Sequence, residues 1–140
     1  MANVLLTGAA GAIGMDLAFS LAQDKINVFA TEADSDNFSL VSKNCKYYNK
    51  VFRAPRAGNE NYINRLNEII IKENIDLVIP NPDFEVGFIS KIRNQIKSPL
   101  FLPSNDTVQV LLSKSLTANK IGDLAPRTFN VESEADLFEA

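Results

Sequence analysis

Short apolar runs with β character alternate along the chain with stretches whose apolar residues recur at helical spacing. Val4–Leu6 reads as a first buried strand, and Ile13, Leu17, Ala18 and Leu21 then share one face of a first helix. Asn27–Thr31 reads as a second strand. It runs into the polar loop Glu32–Asn37, followed by a short helical or irregular piece around Phe38–Ser42. Tyr47–Phe52 reads as a third, weaker strand. Asn61–Glu73 carries Tyr62, Leu66, Ile69 and Ile70 as a helical stripe, and Asp76–Pro80 is the strongest strand pattern of the chain. Phe84, Phe88, Ile92 and Ile96 mark a further helix. Leu100–Leu102 gives a short last strand closed by Pro103, and Asp106–Leu112 and Ser115–Ile121 supply helical turns ahead of Pro126.

Strands that alternate with helices of this length predict an α/β fold with a doubly wound, mainly parallel sheet and right-handed crossovers. In such sheets ligands bind outside the carboxyl ends of the strands, and three polar segments are expected there. They are the glycine turn after the first strand, Glu32 and Asp34 after the second, and Asn81–Glu85 after the fourth.

The glycine turn carries the most chemistry. Gly8, Gly11 and Gly14 stand at three-residue spacing between a strand and a helix. Glycines there let the backbone turn, bring it close to a ligand and aim free amides of the helix's first turn at negative charge. One glycine is needed for the turn and a second can serve helix packing, so the third argues for a ligand. The spacing and the missing Lys-Ser or Lys-Thr exclude a triphosphate P-loop, while dinucleotide, nucleotide and carboxylate ligands all stay open. Glu32, about 20 residues beyond the turn, stands where an acid accepts hydrogen bonds from a ribose, and equally where a solvated turn former would stand. Asp83 and Glu85 sit where carboxylates cap a helix start, and two loop acids alone do not define a metal site.

Composition narrows the partners. Fourteen basic residues against seventeen acidic ones leave a net charge of −3, and no basic stripe tracks a nucleic-acid backbone. A small-molecule partner is expected rather than nucleic acid or a membrane. With one cysteine, Cys45, and no histidine, an internal disulfide, a Cys-His pair and the usual zinc sites are excluded. A cytoplasmic protein is expected, since the chain carries no signal-peptide pattern and no membrane-length apolar segment.

The C-terminal third adds a resemblance. Leu102-Pro103-Ser104-Asn105-Asp106-Thr107-Val108, then Leu112-Ser113-Lys114-Ser115-Leu116-Thr117, then Ala125-Pro126-Arg127-Thr128-Phe129 resembles the segment leading into the nucleotide-binding part of the ATP-grasp ligases, the carbamoyl-phosphate synthetase large subunit among them. The glycine turn, Glu32-Ala33-Asp34 and Pro80–Glu85 are similar to recurring elements of that superfamily's Rossmann-like pre-ATP-grasp domain. The resemblance implies such a domain over residues 1–125 and the start of a truncated ATP-grasp domain over 126–140, where Ser133-Glu134-Ala135-Asp136 looks like a capping box ahead of Leu137 and Phe138. It implies a parent ligase that forms C–N bonds through an acylphosphate with ATP and magnesium, its remaining domains on the same polypeptide. It makes Lys114 a phosphate contact, with Ser113 where the family has Asp, and puts Gly8, Gly11, Gly14, Asp83 and Glu85 on the side of the carboxylate substrate. By this reading the 140 residues alone hold no catalytic group and no metal ligand. Apolar surface exposed by truncation would allow a homodimer.

The alternative resemblance is to short-chain dehydrogenases and sugar-nucleotide epimerases, on Thr7-Gly8-Ala9-Ala10-Gly11-Ala12-Ile13-Gly14. It implies an NAD(P)-binding Rossmann domain. Those enzymes use a Tyr-x-x-x-Lys pair, whereas Tyr47, Tyr48 and Tyr62 are followed four positions on by Val51, Phe52 and Leu66. A bare dinucleotide-binding module fits that pattern better than a complete enzyme. A binding or regulatory module without catalysis is the third class.

Overall fold

The computed structural model describes residues 1–127 together with 129, 131, 133 and 134. The expected capping box and the apolar residues after it reach into 135–140 and lie outside the described residues.

Four strands, β1 (Asn3–Thr7), β2 (Asn27–Glu32), β3 (Lys50–Arg53) and β4 (Leu77–Ile79), form one parallel sheet in the order β3-β2-β1-β4. That order and the helical crossovers make the fold Rossmann-like, as the alternating pattern predicted. The pleat explains the two-sided core. Val4 and Leu6 of β1 point to one face, where they pack with Ala18 of α1 (Ala12–Gln23) and Val41 of α2 (Ser35–Asn44). Leu5 points to the other, into a cluster with Leu66, Ile69 and Ile70 of α3 (Tyr62–Lys72) and Ile89 of α4 (Asp83–Lys91).

The two ends of the sheet differ. At the amino ends, asparagines tie the strands together. Asn3 Nδ2 donates to the carbonyl of Glu73 at 2.8 Å, Asn27 Nδ2 donates to Asn3 Oδ1 at 2.9 Å, and Asn49 Oδ1 accepts from the amide of Val28 at 2.7 Å. The carboxyl ends open into a cleft.

Several elements depart from the expected bounds. A ten-residue α2 replaces the irregular piece because Asp34 caps it, Oδ1 accepting from the amides of Asp36 and Asn37 at 3.0 Å each. The third strand lies later than expected, at Lys50–Arg53. The helix drawn through Ile92 and Ile96 ends at Lys91, and a 3-10 turn at Arg93–Gln95 still delivers Ile96 to the core. The expected last strand shrinks to one parallel bridge between Leu100 and Val78. Beyond it lie α5 (Asn105–Leu111) and α6 (Lys114–Ile121), capped by Ser104 and Ser113. Among the described residues no helix is long and apolar enough to cross a membrane.

Candidate functional site

The cleft has a volume of ≈ 680 Å³ and lies where β1, β2 and β4 end. Its floor is the turn after β1. Gly8 takes φ +66°, and a Cβ there would meet Pro82 Cγ at 2.4 Å, so Gly8 is fixed both by its backbone angle and by the turn after β4. A Cβ on Gly14 would lie 2.8 Å from the Gly8 carbonyl oxygen, so Gly14 lets α1 close onto the turn. Gly11 is different. It is the N-cap of α1 with φ −67°, and a Cβ there would find its nearest atoms at 3.6 and 3.8 Å, ordinary contact. Gly11 therefore leaves room over an exposed turn at the cleft.

The twelve-residue α1 has no side-chain cap and no acid in its first turn, and its N-terminal residues Ala12 and Ile13 line the cleft. Its first amides and the positive end of its dipole remain available to an anion.

Glu32, at the end of β2, is buried. Its Oε2 accepts from the amide of Ala10 at 3.1 Å, and its Oε1 from those of Ala33 and Asp34 at 3.0 and 3.1 Å. It is thus no solvated turn former: it stitches the glycine turn to the β2 loop. Three of roughly four lone-pair sites on a carboxylate are taken, which leaves one for a ligand hydroxyl. Asp34 keeps Oδ2 free while Oδ1 caps α2, and the Asn37 amide in that cap holds its carboxyl below the usual range. Arg56 joins the same lining and is its one cation among the described residues.

The third wall is the start of α4. Asp83 and Glu85 both line the cleft in the helix's first turn, as carboxylates at a positive helix end should. Glu85 is buried, its Oε2 accepts from Tyr62 Oη at 3.0 Å, and the Thr7 hydroxyl nearby favours its charged form. Burial pushes its carboxyl above the usual carboxylate range, the two hydroxyls pull it back, and the charge of Glu32 pushes it further up. Thr7 Oγ1 also accepts from the Asn81 amide at 3.1 Å, joining β1 to the turn after β4. Burial and the adjoining Glu85 raise the Tyr62 phenol, so it stays a donor.

Of the residues the sequence singled out, Gly8, Gly11, Glu32, Asp34, Asp83 and Glu85 meet at the cleft. Gly14 lies behind it, and Lys114 is exposed on α6, away from the lining. The sequence reading had missed Arg56, Thr7 and the hydroxyl role of Tyr62. Arg56 follows β3 as Glu32 ends β2, a position the strand pattern could have flagged.

No family model and no curated protein matches the chain. Solved structures do. A reductase engineered to attenuate substrate inhibition in asymmetric catalysis aligns over 69% of this chain and 35% of its own, with 9% identity and a TM-score of 0.50. The actinorhodin polyketide ketoreductase with NADPH covers 57% and 32% at 18% identity and a TM-score of 0.49. A short-chain dehydrogenase/reductase of Saccharomyces cerevisiae covers 59% and 34% at 22% identity and a TM-score of 0.45. The chain thus spans about a third of the length of these proteins, and what the likeness establishes is the fold.

These neighbours correct the resemblance to the ATP-grasp ligases. The reductase that aligns over 69% of this chain at a TM-score of 0.50 is not a ligase, and the ligase reading is withdrawn, with its acylphosphate and its ATP and magnesium. The reason is physical. The motifs that carried the resemblance do local work: Gly8 and Gly14 are demanded by packing, Ser104 Oγ accepts from the Thr107 amide at 3.2 Å, and Ser113 Oγ from the Leu116 amide at 3.3 Å. Glycine turns and helix caps recur in any sheet wound this way.

Proposed function

We propose that the chain is a dinucleotide-binding module of the short-chain dehydrogenase type, with the cleft holding the adenosine diphosphate part of a nicotinamide dinucleotide. The observation that carries this reading is Gly11. The protein's own packing explains Gly8 and Gly14 but does not demand a glycine at Gly11, where a Cβ would make only ordinary contacts and the exposed turn faces the cleft beside the uncapped start of α1. A diphosphate can approach that backbone closely, take hydrogen bonds from the first amides of α1 and sit at the positive end of its dipole. Glu32, already held by backbone amides, and Asp34, with a free oxygen, suit the ribose hydroxyls at the end of β2. Two acids there repel a 2′-phosphate, which favours NAD over its phosphorylated form.

Bound, the nicotinamide would supply hydride chemistry. This chain's residues hold and orient the cofactor. None of its three tyrosines is followed by a lysine at the spacing those enzymes use, so proton transfer is not assigned to them. Two reductase neighbours were solved with NADPH, in keeping with a nicotinamide dinucleotide in the cleft, though not with the preference for its unphosphorylated form. A cytoplasmic setting, where a thiol such as Cys45 stays reduced, suits it as well.

Fluorescence titration with NADH tests the reading. Saturable binding is expected, with NADPH weaker. The variant Gly11→Ser should separate ligand approach from fold, because serine is at least as good an N-cap as glycine. We expect its unfolding midpoint to hold while NADH affinity falls by about tenfold or more, roughly 1.4 kcal/mol. Absence of NADH binding, or unchanged affinity in the serine variant, would overturn the assignment.

A further inference from the structure

Two acids of the cleft are buried, and they are satisfied by different means. Glu32 rests on three backbone amides, whereas Glu85, only 4% exposed, rests on the hydroxyl of Tyr62, with the Thr7 hydroxyl nearby. Among the described residues no lysine or arginine pairs with Glu85. Resting on the dinucleotide reading of the cleft, we propose that Glu85 is its proton-bearing binding residue: an anion seated at the α1 turn and a proton on Glu85 arrive together.

The groups around Glu85 act in both directions: the hydroxyls of Tyr62 and Thr7 favour its charged form, while burial and the charge of Glu32 favour the proton. β1 offers the Thr7 hydroxyl and α3 the Tyr62 phenol, the end of β2 contributes the negative charge of Glu32, and its own helix adds Asp83 on the same lining. Arg56 lines the cleft too, but among the described residues it makes no ion pair with Glu85. A carboxylate buried without a cation already leans toward its neutral form, and burial and Glu32 hold Glu85 in that direction. A diphosphate brings further negative charge into the same low-dielectric space. The solvent supplies a proton to a Glu85 carboxylate oxygen, which removes one repulsion. The acid keeps an acceptor for the Tyr62 hydroxyl and gains a donor.

The sign follows from linkage. Ligand raises the pKa of Glu85 further, so affinity is highest at low pH and falls as pH rises between the free and the bound pKa, by up to about tenfold per pH unit for one proton. Calorimetric titration of NADH in two buffers of different ionisation heat, repeated between about pH 5.5 and about pH 8.5, reads the protons taken up. We expect uptake approaching one proton in the wild type, and in Glu85→Gln an affinity independent of pH with no uptake. Binding without proton uptake in the wild type, or a glutamine variant that keeps the slope, overturns the inference and leaves the dinucleotide reading standing. The wild-type measurement needs no variant to fold. If NADH fails to bind at every pH, the dinucleotide reading falls, and sulfate, a dianion that does not titrate in this range, decides the coupling. Sulfate binding with proton uptake upholds it. Sulfate binding without uptake, or no sulfate binding, overturns it.

Discussion

Residues 1–100 and the segment from Phe101 to Arg127 are built on opposite terms. In the first, both faces of the sheet are covered, and Leu5, Leu6, Tyr62, Leu66 and Val78 lose all contact with water. In the second, Leu111, Leu112, Leu116, Ile121 and Leu124 remain exposed, α5 buries Val108 alone, and α6 buries nothing. What holds the second segment is polar and local. Ser104 and Ser113 cap its helices, Thr117 Oγ1 donates to the Val110 carbonyl at 2.8 Å, and Ser90 Oγ meets Asn105 Oδ1 at 3.0 Å across to α4. Helices of seven and eight residues are too short to persist on propensity. Burial thus defines the first region, while capping chemistry defines the second.

The sharpest break of that contrast is Leu66→Ala. Leu66 is wholly buried between α3 and the sheet, so its removal costs the transfer of the lost methyl groups and leaves a cavity. We expect about 2–5 kcal/mol of destabilisation, read as a lower urea midpoint at unchanged slope. A loss below about 1 kcal/mol would mean the core is looser than its burial implies.

That stripe was legible in the sequence because helical periodicity reports directly on a buried face. So were the order of the elements and the cleft at the strand ends, which follow from apolar runs and topology alone. α2 was read too short because its signal is a single cap, Asp34, rather than a stripe. Ile92 and Ile96 kept helical spacing although the helix ends between them, since a 3-10 turn can return a side chain to the same core. Asn27 and Asn49 read simply as strand positions and Asn3 carries no signal of its own, and only the paired strands reveal them as a lock. Spacing could not say which glycine served the fold and which the cleft, for that depends on Pro82 and Asn81, far along the chain. Tyr62 read as core, correctly, but its hydroxyl on Glu85 exists only because α3 and α4 share a face of the sheet. The likeness of the C-terminal third to a ligase rested on serines and prolines that cap and end helices in many folds.

Next in size stands Gly14→Ala, inside the well-packed region. The added methyl would lie 2.8 Å from the Gly8 carbonyl oxygen and 3.0 Å from Asn81 Nδ2. Either the turn or α1 must move, at about 1–3 kcal/mol. Because the glycine turn shifts with it, NADH affinity should fall together with stability. Gly11→Ser, by contrast, should lower affinity alone. A thermal melt and a titration on each variant separate the glycine that builds the turn from the glycine that leaves it open.

The smallest effects test the second region, and there the usual order of importance should invert. Leu116 is half exposed on α6, so Leu116→Ala removes little buried area and should change stability by no more than about 0.5 kcal/mol. Ser113→Ala deletes the acceptor for the Leu116 amide and should cost about 0.5–2 kcal/mol, felt first as faster hydrogen exchange along α6. A polar residue would then outweigh a large apolar one within four positions of chain. Were the leucine variant the more damaging of the two, Leu116 would have to be covered in solution, and the exposed leucines around it would count as a buried surface rather than an open one.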